Sequence, residues 1–156
     1  MKLRMLLVIL AAALAAPLVA QDANSNMEIL RQKVKADKKL LVAENMGLTE
    51  SEAKGFWPIY EGYQKDLWAI NERLADTVKA FAKSYNTGAP VSDDVAKKLM
   101  EDYLAVEQDE VNLKKTYAKK LTGVIPTSKI ARYLQIETKI RSAIKWDLAK
   151  NIPLVQ

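Results

Sequence analysis

The 156 residues include no cysteine, no histidine and only five glycines. Without histidine or cysteine there is no Ser-His-Asp triad, no thiol nucleophile, no imidazole or thiolate zinc site and no Glu-x-x-His di-iron motif. The glycines, at 47, 55, 62, 88 and 123, stand too far apart to form a phosphate-cradling loop. Carboxylate or Ser-Lys chemistry is all that is left, and no motif points to either. The sequence therefore reads as that of a binding protein, not an enzyme, with no cofactor and no metal. Cysteine is also missing as a staple, so stability must come from packing.

What is present begins with MKLRMLLVILAAALAAPLVA. Lys2 and Arg4 precede an apolar run from Leu6 to Ala16 and a small-residue finish at Ala20, the layout of a secretory signal peptide. The alternative, a single membrane anchor, fits less well because the run is short for a bilayer span of about 20 residues. No cysteine follows the run, which excludes a lipoprotein anchor. The expectation is a signal peptide over 1–20 and one helical domain over 21–156, released into a bacterial periplasm. Lys2 and Arg4 account for two of the 24 basic residues, so residues 21–156 hold 22 basic and 19 acidic groups, a surplus of three. In that compartment a mild positive surplus points to acidic polypeptides or anionic membrane headgroups and away from nucleic acid.

Apolar spacing past residue 25 is helical throughout. Met27, Leu30, Val34 and Leu41 mark one side of a first helix over 26–45, stopped by Gly47. Thr49 and Glu52 form a Thr-x-x-Glu capping box, with Leu48 placed to staple onto Ala53. From there Ala53, Phe56, Tyr60, Tyr63, Leu67, Ile70, Leu74, Val78 and Phe81 recur at steps of three and four, predicting a second helix to about Asn86. Pro58 falls inside it and should bend it. After TGAP (87–90), Ser92 caps a third helix to about Leu121. Its main stripe is Val95, Leu99, Tyr103, Val106, Leu113 and Tyr117, beside a second ridge of Met100, Leu104, Val111 and Ala118. Two ridges require two neighbours. Gly123 and Pro126 form the next break, and Thr127 or Ser128 caps a fourth helix to about Asn151. The fold expected is all-α: an elongated antiparallel hairpin of helices two and three, flanked by helices one and four, with apolar surface left to face a groove or a second copy in a homodimer.

The starts of helices two and four echo each other, Leu48-Thr49, Glu52 and Phe56 against Ile125-Pro126, Lys129 and Tyr133. In this the chain resembles the LTxxQ family of periplasmic proteins, the family of the Spy chaperone and the CpxP stress regulator. Glu52 and Lys129 stand where the two motifs have Gln, and Pro126 where the second has Thr. The resemblance, over about residues 45–150, implies a cradle-shaped, often dimeric envelope protein that binds unfolded clients or a signalling partner without ATP. Metal sensing, known among relatives, is disfavoured by the missing histidine and cysteine.

Three tryptophans are the candidate contact residues. Trp57 and Trp68, eleven residues apart, share a flank of helix two about 100° from its stripe. They either cover helix one or four of the same chain or form a client or dimer surface. Helix four has Ile130, Leu134, Ile140, Ile144 and Leu148 on one side, and Arg132, Gln135, Lys139, Ser142, Trp146 and Lys150 on the other. The second set is either a plain solvated face or, because it includes tryptophan, a site for acidic and partly apolar polypeptides or anionic headgroups. Glu137 and Arg141 fall on the buried side at i, i+4 and should pair. In helix three, Glu110 with Lys114 has the favourable order for an intrahelical pair.

The readings of function are a Spy-like chaperone for unfolded periplasmic proteins, a docking protein for one envelope partner such as a sensor-kinase domain, or a membrane-surface binder.

Overall fold

A computed structural model describes residues 22–155, with side chains from residue 32 onward. The predicted signal peptide lies outside the described residues, as do the side chains of Met27 and Leu30. The described chain is all-helical, without strands: α1 (Asp22–Met46), α2 (Glu50–Tyr85), α3 (Asp93–Leu121) and α4 (Thr127–Ala149). None of these helices is long and apolar enough to cross a membrane.

Local chemistry sets most helix ends. Gly47 follows α1 at φ +57°, a left-handed stop that a side chain would oppose. At the start of α2 the Glu52 amide donates to the Thr49 hydroxyl at 3.3 Å and the Thr49 amide to the Glu52 carboxylate at 2.7 Å, the reciprocal box expected from sequence. The helix then runs 36 residues, about 54 Å at 1.5 Å per residue, and continues through exposed Pro58. Ser92 caps α3 by accepting from the Val95 amide. The fourth helix departs from expectation. Thr127 is its first helical residue, and the Pro126 carbonyl accepts from the amides of Lys129 and Ile130 at 2.8 and 3.1 Å. Pro126 thus fills the cap position with a backbone oxygen, so neither Thr127 nor Ser128 is needed there.

The chain divides into two units. One combines the chain up to Leu48 with Ala131–Asn151; the other spans Thr49–Ile130 and takes in the segment from Ile152.

In the second unit, α2 and α3 pack antiparallel. Tyr63 meets Tyr117 edge to face with ring centroids 5.4 Å apart, and farther along Arg73 of α2 pairs with Asp109 of α3. The core follows the α2 stripe, with Phe56, Tyr60, Tyr63, Leu67, Ile70 and Phe81 buried against Val106, Leu113, Tyr117 and Leu121 of α3. Each such side chain removed from water contributes about 1.5–3 kcal/mol before entropy is counted. Tyr117 is held further by donating to the Asp66 carboxylate at 2.6 Å. Burial, helped by that bond, pushes its phenol up to about 12. Gly62 lets this ring lie close, since a Cβ there would stand 3.0 Å from the Tyr117 hydroxyl. Two expectations for α3 are corrected. Tyr103, assigned to the buried stripe, is half exposed, while Glu110, read from the sequence as one half of an intrahelical pair with Lys114, is buried on the α2-facing side. Their helical phase explains both, because Val106, Glu110, Leu113 and Tyr117 share one line and Tyr103 falls at its edge.

In the first unit the buried residues of α1 are Val42 and Met46, one position on from the expected Leu41. Tyr133 and Ile140 are their buried counterparts on α4. Glu137 and Arg141 are buried as anticipated, and Glu137 takes a partner from α1 that the sequence did not suggest: the Lys38 ammonium lies 2.8 Å from its carboxylate. Burial pulls the Lys38 ammonium below its usual value; Glu137 pushes it back up and the nearby charge of Arg141 adds to the lowering.

Candidate partner-binding surfaces

The α4 face proposed from sequence is exposed along its length. Arg132, Gln135, Lys139, Ser142, Trp146 and Lys150 are all open to solvent. Their steps of three and four hold them on one strip, and Arg132 to Lys150 spans about 27 Å at the helical rise. The opposite strip is the one that turns inward, with Ile130, Tyr133, Glu137, Ile140 and Arg141 buried. Trp146 is 73% exposed. Leaving an indole in water forgoes a couple of kcal/mol that any covering surface would recover.

The charged side chains on that strip are all basic, because both acids of α4 lie off it. Glu137 is buried with Lys38, and Asp147, off the strip, holds Lys150 at 2.7 Å. Lys150 is therefore partly neutralised, and Arg132 and Lys139 carry most of the surplus.

Trp57 and Trp68 differ from Trp146 in being half-buried. The Trp57 ring meets Phe56 at 5.1 Å and Tyr60 at 5.3 Å, both nearly perpendicular. Such edge-to-face packing fixes its indole among the aromatics of α2 and leaves one side uncovered.

A second open surface lies on α3. Met100, Tyr103, Leu104 and Val111 are 45% to 57% exposed. Three of them belong to the ridge read from the sequence; Tyr103 was missed because its spacing also fits the buried stripe. The same helix is electrically divided. Up to Glu110 it holds seven acids and two lysines, and beyond it four lysines and no acid. Lys98 pairs with Asp102 at 2.7 Å, Lys97 reaches Glu101 at 4.0 Å, and the Lys120 ammonium sits 4.0 Å from the Tyr117 ring centre.

The two residues that stand where the LTxxQ pattern has Gln meet each other. Lys129 donates to the Glu52 carboxylate at 2.6 Å, so one carboxylate both closes the α2 cap and ties it to the first turn of α4, within the second unit. The Lys129 ammonium, with the Thr49 amide, holds the Glu52 carboxyl below its ordinary value. Among the described residues no group of three or more acidic side chains is placed to hold a metal ion.

A scan of protein-family models and searches of curated proteins and of solved structures return no match.

Proposed function

We propose that the chain is an exported, ATP-independent binding protein of the Spy-like kind, working as a homodimer in the periplasm and holding unfolded polypeptides through the outer face of α4. The observation that carries the reading is Trp146, 73% exposed on a strip whose charged side chains are all basic. An unfolded segment bearing acidic and apolar residues satisfies both components at once, by charge attraction and by covering the indole. Such contacts are individually weak, so release needs no fuel. Half-buried Trp57 and Trp68 would supply secondary contacts. The all-helical fold of the described residues agrees with this reading.

The test is suppression of aggregation across several unrelated denatured proteins. The proposal expects protection of most of them at near-stoichiometric amounts and loss of protection in Trp146→Ala. Saturable binding to one envelope protein, with no effect on the others, would replace the chaperone by a docking protein. Vesicle binding that disappears at high salt, without client protection, would make the face a membrane contact.

A further inference from the structure

We infer that the outer face of α4 selects client segments by spacing: two acidic side chains and then an aromatic one, each three residues from the last, on a chain held in the polyproline II conformation. The inference rests on the proposed role of α4 and names the class of segment that fits it. Arg132, Lys139 and Trp146 recur every seven positions and are all exposed. At 3.6 residues per turn they fall within about 40° of one another around the helix, in steps of about 10.5 Å, with the two bases first and the indole last. Gln135 and Ser142, again seven apart, form an adjoining line between them. These four polar side chains make no hydrogen bond or ion pair among the described residues, whereas Lys150 at the end of the strip is held by Asp147. The free charge therefore lies on one side of the indole only.

The step length selects the client's conformation. A β-strand turns a side chain to one face at every second residue, about 6.8 Å apart, which does not divide a step of about 10.5 Å. A polyproline II chain has three residues per turn and rises about 3.1 Å per residue, so every third side chain faces the same way at intervals of about 9.3 Å. The difference of about 1.2 Å per step is taken up by the flexible stems of Arg132 and Lys139. An amphipathic helix with acids and an aromatic seven apart matches the step as well, but its backbone is hydrogen-bonded internally and offers nothing to Gln135 and Ser142. A polyproline II backbone has no internal hydrogen bonds, so the Gln135 amide can donate to its carbonyls and the Ser142 hydroxyl can accept from its amides between the anchor points. It is also a major conformer of unfolded chains, the state in which a client arrives. The segment can run along α4 in either direction, so the pattern is acid-x-x-acid-x-x-aromatic or its reverse.

Fluorescence anisotropy of labelled, end-blocked peptides against the intact protein at low salt tests this. The spaced peptides have two aspartates and a phenylalanine separated by pairs of prolines, in both orders; the control has the same composition with the aspartates and phenylalanine adjacent. Proline spacers enforce polyproline II and forbid a helix. The better of the two spaced orders should bind at least about fivefold more tightly than the control, as expected when clustering the anchors forfeits an ion pair and part of the indole contact. Lys139→Ser combined with Ser142→Lys keeps the net charge and moves one base off the spacing at two exposed positions. That exchange should remove the advantage and leave the helical spectrum unchanged. Equal binding of spaced and clustered peptides overturns the inference, as does an advantage that survives the exchange. So does tighter binding of a helical peptide with the same three residues seven apart. In those cases client protection that still depends on Trp146 leaves the reading of α4 standing without the spacing rule. Absence of both peptide binding and client protection overturns that reading and the inference with it.

Discussion

Replacing Glu137 by glutamine should be far more damaging than replacing the lysine that pairs with it. In the first unit the buried Glu137 carboxylate pairs with the largely covered Lys38 ammonium, buried Arg141 stands one turn along α4, and Glu137 is the buried acid of that unit among the described residues. Glu137→Gln keeps the shape but takes the carboxylate away from Lys38 and leaves that cation under the charge of Arg141, and breaking a buried pair from one side costs about 3–5 kcal/mol. For a chain of this size that lowers the melting temperature on the order of 10 °C. Lys38→Met instead removes a cation whose charged form burial already disfavours, and leaves Glu137 with Arg141 one turn along α4. The expected loss is about 1 kcal/mol or less, because an apolar side chain of similar length fills the same space. Urea denaturation monitored by circular dichroism reads both, with the m-value checking that the unfolded state is unchanged. Equal losses, or a larger loss for Lys38→Met, would refute the reasoning and show that Glu137 is not the keystone of the cluster.

Two further predictions concern pH. The Tyr117 phenol is raised to about 12 in the fold, so its contribution is complete below the ordinary value near 10 and is lost as pH rises through about 12. Tyr117→Phe should cost about 0.5–1.5 kcal/mol at neutral pH, and thermal melts should show the gap to the parent narrowing over that alkaline window; a constant gap would disconnect Tyr117 from Asp66. At the other end, the Glu52 carboxyl is lowered by Lys129, so the stability it lends is present above the ordinary carboxylate value and disappears as pH falls through the folded one. Lys129→Ala should thus be less stable than the parent at pH 7 and indistinguishable from it at strongly acid pH, and a gap that persists in acid would contradict the pairing.

What the sequence revealed was chiefly what is local. The Thr49–Glu52 box and the Ser92 cap join residues three positions apart, so their pattern can be read without knowing the packing. The α2 stripe is equally legible because it repeats over about eight turns, from Ala53 to Phe81. Contacts between helices were not. Lys38 with Glu137, Arg73 with Asp109 and Glu52 with Lys129 are separated by 99, 36 and 77 positions, and each depends on which faces the helices turn to one another. Glu110 shows the same limit: by residue type it belongs on the surface, and only the α2–α3 packing puts it inside. The α4 strip was legible because charged and apolar positions separate cleanly around its wheel, and all six of its residues are exposed in the structure. On α1 the pattern is weaker, with Leu40, Leu41 and Val42 adjacent, and the sequence favoured Leu41 where the fold buries Val42 most deeply.

The measurement that bears most directly on the proposed function is the affinity of Trp146→Ala for a permanently unfolded, acidic client, set beside its melting temperature. Trp146 is 73% exposed, so the substitution should move stability by no more than about 0.5 kcal/mol. Binding should fall about tenfold or more, as expected on truncating an aromatic anchor. The remaining affinity should weaken with salt, through Arg132 and Lys139. Unchanged client affinity in a stably folded Trp146→Ala protein would contradict the account and move the binding surface away from α4.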